Sequence, residues 1–365
     1  MPTPIVQFGT SRFLQAHADL FISEALEAGN AIGKITIVQT TGSAERAGRL
    51  NALAAPQGFP VIIRGLADGV EIDRRQQVTS VARALSTASD WQDVQRIVAE
   101  EAEILISNTG DTGYDVESGK PDTEIPPSFP GKLLLLLHAR FVAGGRPLTV
   151  LPCELIARNG DRLKEVILRL QAERIGDADF ETWLSSAVVW GNTLVDRIVS
   201  APLEPAGAIA EPYALWAIEN QPGLSVPCTH PSILLVDDLT PYEKLKLHIL
   251  NLGHTVLADI WLKTARPRDE TVKDILRDAD VATTLMDIYE TEVIPGFAAK
   301  GLGREATDYV ALTLDRFRNP FLEHRLSDIA NHHAEKIVRR IADFRAWSPD
   351  VAMPRLAAIA GTDDQ

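Results

Sequence analysis

Strand patterns run out at Asp238. Before it, short apolar runs alternate with stretches of helical spacing. After it, apolar residues recur only at helical intervals, with Gly and Pro breaks near 295–303. A chain so divided builds two cores: an α/β layer around a mostly parallel sheet, then an all-α part with helix packed on helix. At 365 residues it is long enough for both. The composition shift falls near 225–235, and the expected domains are 1–228 and 229–365.

The first part opens on a strand at 4–8, a turn from Gly9 to Phe13 and a helix over 14–28. Strand, Gly turn and helix are how a dinucleotide-binding unit begins, because the helix N-terminus presents N–H groups to a pyrophosphate. Phe8, Gly9, Thr10, Ser11, Arg12 and Phe13 are therefore cofactor-binding candidates. The motif is degenerate: Ser11 stands at the usual second glycine and no third glycine follows. A plain strand-to-helix turn explains the same residues. The second strand, 35–39, ends in Gln39-Thr40-Thr41 without the acid that often binds a ribose diol. Thr40 and Thr41 join the candidates, and Ser43 or Arg46 would suit a 2′-phosphate, which leaves NADP open beside NAD. Further strands are expected at 60–66, 103–110 and 147–154; residues 78–85 lead into a helix at 90–101, and further helices are expected at 131–142 and 159–173. The strand over 103–110 ends in Asn108 and Thr109, where a doubly wound sheet places its ligands. Asn and Gly closing an ordinary turn is the alternative.

Two stretches carry candidate chemistry. Residues 241–261 read as one long helix: Pro241 suits the first turn, and Leu245, Ile249, Leu252, Val256, Leu257 and Ile260 form an apolar stripe. Three polar groups interrupt it. At about 100° per residue, with Lys246 at zero, His254 falls near ~80° and Asn251 near ~140°. An amine can move a proton, an amide can hold an oxyanion and an imidazole can orient a hydroxyl. A solvated Lys and a structural Asn–His contact explain the same spacing, and Lys244 with His248 offers a competing pair. The second stretch, 188–198, brings Asn192, Asp196 and Arg197 together after an apolar strand. Asn192 would supply a second amide to the oxyanion; an Asp–Arg pair without chemistry is the alternative.

A formal net charge of -14 argues against a nucleic-acid or anionic-membrane partner. The two cysteines, Cys153 and Cys228, make neither a zinc site nor much of a disulfide framework, which suits a reduced cytoplasmic compartment. The N-terminus shows no charged region followed by an apolar one, and the longest dense apolar run, 132–138, is too short to span a bilayer.

With these residues in view, the chain resembles the long-chain mannitol dehydrogenase family of polyol-specific dehydrogenases and sugar-acid reductases. Lys246, Asn251 and His254 match its Lys-x4-Asn-x2-His hallmark; Asn192-Thr-Leu-Val-Asp-Arg-Ile198 matches its second signature; Phe8-Gly-Thr-Ser-Arg-Phe13 matches its N-terminal pattern with Ser for the second Gly. Segments at 61–66, 106–109, 151–156, 159–164 and 316–320 look most like the tagaturonate reductase (altronate oxidoreductase) branch. The resemblance implies a Rossmann-type domain, an all-helical second domain, NAD (or NADP) and no catalytic metal. It implies Lys246 as general acid/base, Asn192 and Asn251 as donors to the reacting oxygen, and His254 as a substrate-binding group. A Lys whose ordinary pKa is about 10.4 would need burial or a cationic neighbour to serve as a base. The substrate implied is a small sugar acid, tagaturonate or fructuronate with altronate or mannonate, or else a neutral polyol or phosphorylated sugar. For a carboxylate the candidate cations are Arg316, Arg197 and His324, with Asp196 beside them; Arg316 comes first, and a helix-surface role is its alternative. A monomer or small homo-oligomer is expected.

Overall fold

The computed structural model describes residues 2–41, 47–110, 112–116 and 124–361, so Ser43 and Arg46 lie outside the described residues. The strands, in chain order, begin with β1 (Ile5–Phe8), β2 (Ile35–Gln39), β3 (Phe59–Ala67), β4 (Val70–Val78) and β5 (Val81–Ser86). Then come β6 (Ile104–Ser107), β7 (Leu148–Pro152), β8 (Val188–Trp190) and β9 (Thr193–Asp196). The last are β10 (Val199–Pro202), β11 (Ala208–Ala210), β12 (Leu215–Glu219) and β13 (Ile233–Val236).

The chain forms two compact units, one of residues 1–63, 74–210 and 214–239, the other of 64–73, 211–213 and 240–365. The expected break at 228 thus compares with one at 239, and the second unit also takes in two short stretches from before that break, 64–73 and 211–213.

The first unit is a Rossmann-type domain. Its six-stranded sheet runs in the order β5-β2-β1-β6-β7-β8, and every neighbouring pair is parallel. β1, β2, β6 and β7 are buried along their whole length, which is why their sequences are continuous apolar runs rather than alternations. The order reverses between β1 and β6, and such a reversal opens a crevice at the carboxyl ends of the strands. Val6, Phe8 and Leu105 meet Leu133, Leu137, Ile167 and Leu170 from the helices Phe129–Val142 and Asn159–Arg174 in one core. Two smaller sheets, β10-β11-β3-β4 and β13-β12-β9, complete the strands.

The expected helix over 14–28 is broken. Arg12–Gln15 makes one turn, and Ala18–Glu27 restarts after His17, whose φ of -128° and ψ of -98° are not helical. His17 is held there: its Nε2 is 3.0 Å from the Leu215 carbonyl, and it packs among Phe13, Phe21 and Trp216.

Beyond 239 the second unit is helical. Its core centres on the helix Asn251–Lys263, with Leu252, Val256 and Leu257 fully buried against Leu285, Tyr289, Phe297 and Phe344. Among the described residues no helix is long and apolar enough to cross a membrane.

Candidate active site

The crevice of the first unit is built from the ends of β1, β6 and β7. Gly9 follows β1 with φ +119°, and a Cβ there would lie 2.7 Å from the Asn108 carbonyl oxygen. Glycine is therefore required for the turn to pass β6, quite apart from any ligand. Ser11 caps the one-turn helix: its Oγ accepts from the Leu14 N–H at 3.2 Å and donates to Asn108 Oδ1 at 3.0 Å. The residue that breaks the glycine motif thus ties the turn to the neighbouring strand end.

The other turn residues are engaged within the unit. Phe8 is buried against Phe129, and Phe13 stacks on His17. The Thr10 carbonyl accepts from Gln15 Nε2. Arg12 donates to the Leu203 and Gly207 carbonyls at 2.8 and 3.0 Å and pairs with Glu204, so its guanidinium fastens the loop between β10 and β11. The Thr40 carbonyl accepts from Thr87, and that of Thr41 from Gln39. Asn108 donates to the Cys153 carbonyl at 2.8 Å, and both donors of Thr109 are taken up by Glu154. What the crevice offers a ligand is shape and backbone more than uncommitted side chains.

Asn192 follows β8. Its Oδ1 accepts from the Asp161 N–H at 3.1 Å; its Nδ2 donates to Glu219 at 2.8 Å and Asp161 at 3.2 Å. Arg158 bridges the same two carboxylates. An Asn192 amide that served a reacting oxygen would have to redirect one of these donors.

In the second unit the expected single helix over 241–261 is interrupted. An α-helical start, Thr240–Leu245, passes into a π turn, Lys246–Leu250, before α-helix resumes at Asn251. The Asn251 N–H is shared between the Leu247 carbonyl, the ordinary i→i+4 partner, and the Lys246 carbonyl, an i→i+5 closure. In an unbroken α-helix Asn251 would lie about 140° around from Lys246; the wider turn sets it one full turn above. Single π turns of this kind are frequent at functional sites. The turn is locked from outside: Tyr289 donates to the Ile249 carbonyl at 3.0 Å, and His248 Nδ1 lies 3.1 Å from the Arg340 carbonyl. His248 also packs against Phe344 and Trp347, and burial pushes its pKa down to about 4. It is therefore a structural imidazole, and Lys244 faces the Trp347 ring rather than pairing with it.

His254 is buried at 6% exposure, its ring 4.5 Å from Phe317 and 4.7 Å from His324. Burial first, then His324, Arg316, Arg340 and Lys336, hold its pKa well below the ordinary range. A neutral imidazole keeps one donor and one acceptor for a hydroxyl. Arg340 donates to the Asn251 carbonyl and to Thr255 Oγ1, so the residue pairing with the π turn also fixes the start of the next helix.

Known proteins bear on both units. Residues 3–226 match the mannitol dehydrogenase Rossmann domain, and residues 238–347 the mannitol dehydrogenase C-terminal domain. The chain belongs to the mannitol dehydrogenase family. It is accordingly an oxidoreductase of CH–OH groups. Relatives named altronate oxidoreductase include those of Halalkalibacterium halodurans, 29% identical over 93% of this chain and 70% of theirs, and of Klebsiella pneumoniae, 30% identical over 93% and 74%. Two solved structures share the fold at 20% identity over 98% of this chain. One is a D-sorbitol dehydrogenase in substrate-free form, with a TM-score of 0.80 and 79% of its chain covered; the other is Pseudomonas fluorescens mannitol 2-dehydrogenase in a ternary complex with NAD and D-mannitol, with 0.72 and 78%.

Within this family member, the candidate carboxylate clamps differ in what they already hold. Arg316 is no helix-surface residue. It is 3% exposed and makes a two-pronged pair with Glu211 at 2.8 and 3.0 Å, over the Tyr213 ring. Its charge is matched by a buried carboxylate, which weakens the expectation that it comes first. Arg197 is buried in the first unit, donating to the Ala16 carbonyl at 2.7 Å, with Asp196 buried next to it. His324 stands against His254 and its pKa is lowered, mainly by burial. Sequence reasoning passed over Lys336 and Arg340, whose charges both bear on His254. Nothing in their local pattern marks them; the helix Asn251–Lys263 brings them near. Lys336 donates to the Ile329 carbonyl at 2.7 Å, and burial lowers its pKa.

Proposed function

We propose that the protein interconverts a ketose-type sugar acid, tagaturonate or fructuronate, and its hexonate, altronate or mannonate, with NAD as preferred cofactor. The observation that carries this reading is the π turn that stacks Asn251 one turn above Lys246, beside a neutral imidazole surrounded by basic side chains. The relatives named altronate oxidoreductase support the acid substrate, and the mannitol 2-dehydrogenase solved with NAD supports the cofactor.

The Rossmann order, with Gly9 and Asn108 on either side of its reversal, suits a dinucleotide. The residues that would hold it are the Gly9–Phe13 turn, Thr40-Thr41 and the Asn108-Thr109 strand end. A nicotinamide held there would supply the hydride acceptor for oxidation and the hydride donor for reduction. Lys246 takes the hydroxyl proton in oxidation and gives it back in reduction. Asn251 donates to the oxygen as negative charge develops on it. His254 holds a neighbouring hydroxyl. Lys336 and Arg340 draw the substrate carboxylate toward His254.

The test is a panel of hexonates and neutral polyols with NAD and NADP, followed at the nicotinamide absorbance band. Turnover of a hexonate with kcat/KM at least about tenfold above any neutral polyol is expected, the scale of one charged hydrogen bond. Preference for mannitol or sorbitol would refute the acid substrate. A higher kcat/KM with NADP would refute the cofactor preference.

A further inference from the structure

Glu154 lies just past β7, 3% exposed, in a place the chemistry above does not use. Four neutral donors converge on it. Its Oε1 accepts from the Thr109 N–H and the Thr109 hydroxyl, each at 3.0 Å; its Oε2 accepts from Ser107 at 3.1 Å and Tyr114 at 3.2 Å. No cation is among these partners, and burial pushes its pKa up. A buried carboxyl without a counter-charge is costly and would be a poor choice for stability alone. What it holds is Ser107 to Thr109, the end of β6. Through the register of Phe8 with Ser107, this strand end forms the wall of the crevice opposite the Gly9 turn. The same wall is pinned from its other side, where Asn108 joins Ser11 to the Cys153 carbonyl.

We propose that Glu154 is a positioning residue for the dinucleotide: it fixes the Ser107–Thr109 wall at the height the cofactor needs. The inference rests on the reading of this crevice as the cofactor site. A carboxylate suits the task because Thr109 presents two donors to one oxygen and its N–H cannot reverse. A Gln side chain can keep its oxygen toward Thr109 and turn its NH2 toward Ser107 and Tyr114, whose hydroxyls rotate to accept. Alanine leaves the two Thr109 donors and the Ser107 hydroxyl unmet, while the Tyr114 hydroxyl keeps the Asn159 carbonyl at 3.2 Å, and the wall is released.

The experiment measures NADH affinity by fluorescence titration, sugar KM and kcat at saturating NADH, and Tm for wild type, Glu154→Ala, Glu154→Gln and Glu154→Asp. Glu154→Ala is expected to weaken NADH binding about tenfold or more, the scale of one or two unmade hydrogen bonds, with sugar KM within about twofold. Glu154→Gln should restore binding to within about threefold of wild type. Should the alanine variant not fold, Glu154→Asp decides: it keeps the charge but cannot reach both Thr109 and Tyr114, so weaker NADH binding at an unchanged sugar KM supports the role. Unaltered NADH affinity in the folded alanine or aspartate variant, or an equal loss for NADH and sugar, overturns it. A wild-type protein that binds neither NADH nor NADPH overturns the reading of the crevice itself, and the two failures are told apart by that control.

Discussion

The Tyr289 hydroxyl donates to the Ile249 carbonyl at 3.0 Å through a gap that Gly253 leaves open. A Cβ on Gly253 would sit 1.9 Å from that hydroxyl and 3.0 Å from Phe317. Small size at 253 and a phenol at 289 are thus two halves of one lock on the π turn. Tyr289→Phe should cost about 1–3 kcal/mol of stability, the range for a buried acceptor left unmet. Gly253→Ala should cost more and lower kcat as well, because it pushes on the turn between Lys246 and Asn251. Denaturant unfolding and steady-state rates measure both; a fully active, fully stable Gly253→Ala would refute the lock.

Lys246→Ala and Lys246→Met should each lose about 10²–10⁴-fold in kcat, the contribution typical of general acid/base catalysis. Asn251→Ala should lose about 10²–10³-fold, the range for one oxyanion donor. NADH titration should show near-normal cofactor binding in all three. If folded Lys246→Ala keeps more than about a tenth of wild-type kcat, Lys246 is not the base.

Lys336→Met should raise KM for a hexonate about tenfold or more, as for loss of a charged hydrogen bond, and leave KM for a neutral polyol unchanged. An equal rise for both substrates would assign Lys336 to packing.

Arg316→Ala strands Glu211 in a buried site and should cost about 3–5 kcal/mol of stability. Arg316→Met with Glu211→Leu should recover most of it. A selective rise in hexonate KM in the stable double variant would return Arg316 to the substrate.

Asp19 offers a pH test away from the chemistry. It is fully buried at the start of the helix Ala18–Glu27, and burial raises its pKa from 3.8 to about 8. Between those values the folded chain holds a proton that the unfolded chain has released, so stability is fully present only below the lower value and falls as pH rises to the upper one. Asp19→Asn should remove that part of the slope. Its Tm should gain on wild type from about pH 4 toward pH 8, as scanning calorimetry across the range would register.

Much of the first unit could be read from the chain because its central strands are buried on both faces and appear as apolar runs: β2 falls where the pattern places it, and β1, β6 and β7 within a few residues. β4 could not, since its residues are largely exposed and polar. The break at His17 depends on Leu215 and Trp216, far along the chain. The three residues of the candidate site were legible as a spacing, yet their arrangement was not: apolar periodicity runs through both helical segments and hides the extra residue between them. Arg316 was legible as a charge, whereas its partner Glu211 lies 105 residues away. Glu154 carried one faint sign, an acid placed straight after an apolar strand at the ligand-binding edge of a parallel sheet.

The π turn spends one residue more than an α-helix needs to join the same two ends. Loss of any one of Leu247 to Leu250 would leave Lys246 and Asn251 four apart, on the same face of a plain α-helix, with both flanking segments where they were. A residue lost from the α-helical stretch Asn251–Lys263 would instead rotate everything beyond it by about 100°. The turn thus holds one residue that the helix geometry does not need, and a change of length there, unlike one farther along, keeps Lys246 and Asn251 on one face.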